Sequence, residues 1–226
     1  MAEAAFENLA DVVLDEVFPV VDLRLREGGH IDDLDLEEFT FLEDARPFLE
    51  EFYERFGCEL MRSVDGYYYL QPRGDRLGHR QLPAAEMLVG QTLCLLRMDP
   101  ATLQTSWRVE RVRVLELLDQ LVGPERLGRA LNPRRSIRSK AVNEEKIRED
   151  VYGAINTLAR LGFVAVDGDT LHLRAALLRF LEPLTDQPQP TEALNELIRT
   201  GRVHPAEDSD EDNDEGSDES SDEDDP

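Results

Sequence analysis

The chain has 226 residues and a formal net charge of -24, with 49 acidic residues against 25 basic ones, 23 of them arginine. That length suits two small domains, each with a modest core. No apolar run approaches the roughly 20 residues that span a bilayer, and the N-terminus lacks the basic-then-apolar pattern of a secretory signal, so the sequence points to a soluble, cytoplasmic protein with no membrane contact.

The first predicted element is an amphipathic helix over 6–17, with Phe6, Leu9, Ala10, Val13, Leu14 and Val17 on one face. Pro19 breaks it before a second helix, Val20 to Arg26, which Gly28-Gly29 ends. His30 to Leu36 reads as a short extended piece and a turn, followed by a brief helix from Leu36 to Leu42. Phe48, Leu49, Phe52, Tyr53 and Phe56 line one face of a helix over 44–56, and Gly57 stops it. Cys58 to Val64, Asp65-Gly66 and Tyr67 to Leu70 then form a hairpin.

Residues 71–81 hold Pro72, Gly74 and Gly78 and one apolar residue, Leu77, and read as the linker between domains. Leu82 to Met98 is helical, with Met87, Leu88, Gln91, Leu95 and Met98 spaced for burial. Trp107 sits on a short strand, and Val109, Val112, Leu115, Leu118, Leu121 and Val122 build the next helix. Gly123-Pro124 turns the chain into a third helix, Glu125 to Leu131. Asn132 to Val142 lacks apolar periodicity and reads as an exposed, mobile basic loop.

The next helix ends at Leu161, with Ile147, Val151, Ala154, Ile155 and Leu158 on its inner stripe and Gly162 as a left-handed cap. Phe163 to Val166, a turn at Asp167-Gly168 and Leu171 to Leu173 make a second hairpin. Ala175 to Leu181 is a short helix, and Thr191 to Arg199 is the last one, capped by Thr191. From Ala206 the chain is acidic and polar; it cannot bury enough apolar surface to offset the entropy of ordering and is expected to be disordered.

The order helix, glycine stop, strand, Asp-Gly turn, strand occurs twice, with Gly57 and Gly162 in corresponding places. Two such units read as tandem winged-helix domains, a mostly α fold with small β-wings (α+β). The expected boundaries are an N-terminal winged helix over 1–79, a C-terminal winged helix over 80–183, a helical extension over 184–205 and the disordered acidic tail over 206–226.

No phosphate-binding loop, dinucleotide fingerprint, nucleophile elbow or zinc-protease motif is present, so no catalytic residue and no cofactor are assigned. His30, His79, His172 and His204 are scattered and read as solvated or hydrogen-bonded side chains, not metal ligands. Asp32, Asp33 and Asp35 lack the Gly and closing Glu of a calcium loop and read as a capped, solvated turn. Cys58 and Cys94, without a Cys-x-x-Cys spacing, read as buried thiols. Tyr67-Tyr68-Tyr69 reads as wing packing, since only Tyr67 and Tyr69 share a strand face.

Charge gives the one functional candidate. Residues 1–70 carry 19 acids and 5 bases, and residues 206–226 carry 13 acids and no base. Between them, Arg126, Arg129, Arg134, Arg135, Arg138 and Lys140 form a run without an acid, extended by Lys146, Arg148 and Arg160. Arginine forks there suit phosphate contacts, which give affinity without reading sequence. The helix that follows carries Glu144, Glu145, Glu149 and Asp150 and no side-chain set for base edges. The rival reading is a dimeric winged-helix transcription regulator that reads a palindrome.

The residues resemble the MukE family of chromosome-partition proteins. The matching pieces are Phe18-Pro19, Leu25 to Ile31, Leu49 to Phe56, Glu59 to Arg62, Gly66 to Arg73, Met87 to Gly90, Arg160 to Gly162 and Leu197 to Gly201, covering about 15–203. The resemblance implies a dimeric, non-enzymatic tandem winged-helix (kite) subunit that binds the kleisin MukF and acts with the SMC-like ATPase MukB in chromosome condensation at the nucleoid. It further implies duplex DNA contact through the second winged helix, carried over to Arg134, Arg135, Arg138, Lys140, Lys146, Arg148 and Arg160. The helix 150–161 keeps only Arg160 as a base, a departure from the family pattern.

Overall fold

The computed structural model describes residues 5–74, 82–131 and 140–184. Most of the expected linker, the loop 132–139 and everything from Thr185 onward, the last helix and acidic tail included, lie outside the described residues. What is described forms two units, each a set of helices closed by a three-stranded antiparallel sheet around its own apolar cluster.

In the first unit, α1 spans Leu9–Leu14 and α2 spans Phe18–Arg26. The expected 6–17 helix is cut short at both ends. Asn8 caps it by accepting from the Ala10 and Asp11 amides, and Asp15 turns extended and accepts the Val17 amide at 2.9 Å, a local bond that competes with another helical turn. Its buried residue is Val12, whereas Leu14 is 82% exposed. Pro19 lies in the first turn of α2 and does not break the chain before it: an amide with no helical partner is no loss there.

α3 runs unbroken over Leu36–Glu54 with Pro47 inside it, where two helices were expected. Phe41, Leu42, Ala45, Leu49 and Tyr53 form one buried stripe across the proline. At about 1.5–3 kcal/mol for each large apolar side chain, their burial outweighs the roughly 3 kcal/mol of an interior proline. Phe56, beyond the helix, is half-exposed beneath the Arg26 guanidinium, 4.6 Å from its ring. β2 (Cys58–Arg62) and β3 (Tyr67–Pro72) form the expected hairpin, but β2 ends two residues short of the expected Val64, so that 63–66 make the connection, and β1 (Ile31–Asp32) adds to the far side of β3.

The second unit is built around α4, Ala84–Met98. α6, α7, α8 and the final 3-10 segment all pack against α4, so Leu88, Val89, Leu93, Cys94 and Leu96 are buried around its circumference. The expected single stripe was too narrow, and Met98, counted in it, is 48% exposed. A short α5, Pro100–Gln104, was not foreseen; Asp99 caps it at the Ala101 amide. Trp107 precedes β4 (Arg108–Glu110) and does not lie on it; Val109 belongs to that strand.

α6 spans Arg111–Val122 and buries Val114, Leu118 and Val122, leaving Val112 half-exposed. α7 spans Pro124–Leu131, and α8 spans Lys140–Arg160, starting inside the expected loop. β5 (Val164–Asp167) and β6 (Thr170–Leu173) follow Gly162. Asp167 pairs with Thr170, so the two turn residues are Gly168-Asp169, one place later than expected. Gly168 alone takes a positive φ, 57°, as the first central position of such a turn requires. The short helix expected at 175–181 is a 3-10 helix that runs over Ala175–Leu184.

Cys58 and Cys94 are both buried and unpaired, and burial pushes the Cys94 thiol up to about 12. Among the described residues no helix is long and apolar enough to cross a membrane, and no group of three His, Cys, Asp or Glu is placed to hold a metal ion. Gly90 of α4 faces the Phe180 ring, where an added Cβ would come within 2.4 Å. Gly90→Ala is therefore expected to destabilise the chain by about 1–3 kcal/mol through overpacking, measured by urea denaturation.

Candidate nucleic-acid interface and a buried junction

α8 places the basic residues on its surface without gathering them. Lys146, Arg148 and Arg160 are all exposed. At about 100° per residue, Lys146 and Arg160 share the outward face, whereas Arg148 is turned well over 90° away, toward α6. Lys146 and Arg160 stand about 21 Å apart along the axis. Between them the outward face carries Glu149, and over 140–160 the four bases Lys140, Lys146, Arg148 and Arg160 meet the four acids Glu144, Glu145, Glu149 and Asp150. The helix has no net charge. Lys140 opens α8, and Arg134, Arg135 and Arg138 lie outside the described residues. On the flank, the Arg111 guanidinium lies 5.4 Å from the Tyr152 ring and fastens α6 to α8.

A buried polar cluster lies elsewhere, between the two units, and the sequence reading missed it. Arg174, directly after β6, is 8% exposed and bonds Asp32 Oδ1 at 3.1 Å and both carboxylate oxygens of Asp35, Oδ1 at 3.0 Å. Arg24 of α2 bonds the same Asp35 at 2.7 Å. Burial alone would raise the Asp35 carboxyl, but the bonds from Arg174 and Arg24 outweigh it and hold it below its ordinary value. At Asp32 burial wins, and its carboxyl is raised despite Arg174. The capped, solvated turn is thus half right: Asp32 caps the Leu34 amide at 3.2 Å, but Asp32 and Asp35 face inward.

His30 is 2% exposed, not solvated. Its backbone amide donates to the Leu161 carbonyl at 2.9 Å, and its Nδ1 lies 2.8 Å from the same oxygen. Arg179, which can only donate, approaches Nε2 at 2.8 Å, so the ring is neutral with its proton on Nδ1. Burial pushes its pKa down to about 3, helped by Arg179 and Arg24 and opposed by the bond to Leu161. Tyr67 and Tyr69 share one face of β3, as their alternation requires, and the His30 ring packs against both and against Phe163, 4.4 Å away. One signal was available: Arg174 is the only charged residue in the run Leu171 to Leu178 and needs a buried partner if that run packs.

Paired small helical units, each closed by a three-stranded sheet and joined through a buried charged junction, define the class of protein. The MukE-like family model matches residues 5–226, and the chain belongs to that family. The chromosome partition protein MukE of Vibrio cholerae is 35% identical over 208 residues, covering 90% of this chain and 89% of the relative. The MukE of Shigella flexneri is 32% identical over 204 residues, covering 88% and 90%. A chain of a solved Nse1-Nse3-Nse4 complex aligns at TM-score 0.39 and 12% identity over 75% of this chain and 72% of its own length, too distant to add to the argument.

The junction predicts an acid sensitivity. A folded-state histidine pKa of about 3 against an ordinary 6.5 means that folding expels a proton, so its contribution is complete above pH 6.5 and lost as pH falls toward 3. His30 is expected to lower stability by about 1 kcal/mol per pH unit between pH 6 and 4.5, above the range where Asp35 titrates, with the raised Asp32 carboxyl offsetting part of that fall as it takes up its proton. His30→Gln, which can still accept from Arg179, is expected to flatten that slope in urea titrations.

Proposed function

We propose that this chain is the MukE-type accessory subunit of an SMC-like chromosome-condensing complex of the MukBEF kind. It works as a dimer of tandem winged-helix chains that binds the kleisin MukF and the ATPase MukB, and it contributes no catalysis of its own. The observation that carries this reading is the family match over 5–226, together with relatives named chromosome partition protein MukE across some nine-tenths of the chain. That name gives no support to the transcription-regulator alternative. The winged-helix reading is supported by the repeated order of helices, glycine stop and hairpin, with the third strand completing each sheet.

Duplex DNA contact belongs to the second unit in this reading, and the complex works in the cytoplasm at the nucleoid. Because α8 is electrically balanced, the net attraction for phosphate falls to Arg134, Arg135 and Arg138, with Lys140, Lys146, Arg148 and Arg160 as flanking contacts. A chain of net charge -24 binds a polyanion weakly unless a patch dominates locally or the other subunits supply the field. The acidic residues 206–226 compete for the same basic surface.

Affinity capture of the chain from its own cell extract at low salt tests the assignment. Recovery of a kleisin with a long coiled-coil ATPase is expected; return of a lone dimer holding one short genomic fragment would contradict it. In the reconstituted complex, Arg134→Ser with Arg135→Ser and Arg138→Ser is expected to lower the slope of log affinity against log salt by about 3, without changing sequence preference. Truncation after Pro205 is expected to strengthen DNA binding at low salt; unchanged affinity would remove the tail from the account.

A further inference from the structure

α8 ends where the second unit meets the first. The carbonyl of Leu161, one residue past the helix, takes both the backbone amide and the Nδ1 proton of His30. Gly162 follows with φ 75°, and a Cβ there would lie 2.2 Å from the His30 carbonyl oxygen, so the approach is closed to any other residue. Past the hairpin, Arg174 bonds Asp32 and Asp35, and Arg179 reaches His30 Nε2 while lying 4.3 Å from the Tyr69 ring. The end of α8 and the end of its hairpin are therefore fastened to the same short stretch of the first unit, residues 30–35.

These fastenings differ in kind from the two cores. Three guanidinium groups, of Arg24, Arg174 and Arg179, are set about two carboxylates and a neutral imidazole. A buried ion pair adds little net stability, because desolvation offsets attraction, yet it accepts only a narrow geometry. Such a joint specifies an angle more strongly than it binds two bodies together. We propose that residues 30–35, Leu161, Arg174 and Arg179 form a latch that fixes the direction of α8 against the first unit and releases without melting either core. Its consequence for DNA rests on the reading of α8 given above: partner binding to the first unit would turn the DNA-facing flank of α8 through this joint.

The test measures the latch without DNA, so that its failure and that of the DNA reading stay distinct. Spin labels at Val64→Cys and Asn156→Cys, both exposed positions in different units, report the distance between them in the full chain, and the buried Cys58 and Cys94 stay unlabelled. A single narrow distance is expected in the parent chain. Arg174→Met is expected to broaden the distribution at least twofold. Arg174→Met combined with Asp32→Asn, which leaves Asp35 paired with Arg24, should broaden it too, with the circular dichroism of both variants unchanged. An unbroadened distance in both variants would overturn the latch. Loss of folding in both would overturn it equally, since a latch opens without melting what it joins.

Discussion

The contact between Arg174 and the carboxylates of Asp32 and Asp35 sets the arrangement on which the rest of this molecule depends. Each unit buries its own apolar cluster and is closed by its own sheet, and only a few side chains of the first unit reach the second cluster. The apolar crossing points are Tyr67 and Tyr69, both on a first-unit strand and both at the second cluster, and His30, which rests on Leu161 and Phe163. A guanidinium buried between two carboxylates penalises every orientation that leaves a charge without its partner. In the proposed latch, the junction holds the two units at a defined angle.

That arrangement separates charge in a way that bears on function. The first 70 residues carry a large acidic excess, whereas α8 in the second unit is balanced and its attached segment 126–140 is wholly basic. In the proposed reading, the acidic first unit is suited to protein partners, and whatever attraction the chain has for a phosphate backbone lies in the second unit. For a MukE-like chain, this division fits a subunit that bridges the protein part of a condensing complex and the duplex it holds. In that reading, the absence of net charge on α8 makes any contact with DNA conditional on the neighbouring arginines and on the other subunits.

Much of the fold was legible because local chemistry and tertiary packing agree. The glycine stops at Gly57 and Gly162 and both hairpins could be read from positive-φ requirements and alternation alone. The errors fell where packing overrides local preference: Pro47 inside α3, and α4, buried on all sides and so without a single stripe to detect. α1 failed for a local reason, the Asp15 turn, which a periodicity count passes over. The basic residues of α8 were found, but their scatter around the helix follows from its angular pitch and its interleaved acids. The junction was invisible because its partners are separated by 142 positions in sequence, as for Arg174 and Asp32, and no periodicity links such pairs. Only the isolated arginine in an apolar run marked the place.

Amide hydrogen exchange at His30 tests the central claim most directly, since that amide bridges the units through the Leu161 carbonyl. A latch between two independent cores predicts an intermediate rate: far slower than the turn around the fully exposed Val64, yet faster than Ile155 in the second core. Exchange as fast as at Val64 would mean that the junction is not closed in solution. Exchange as slow as at Ile155 would mean that the two units melt as one, with no joint between them.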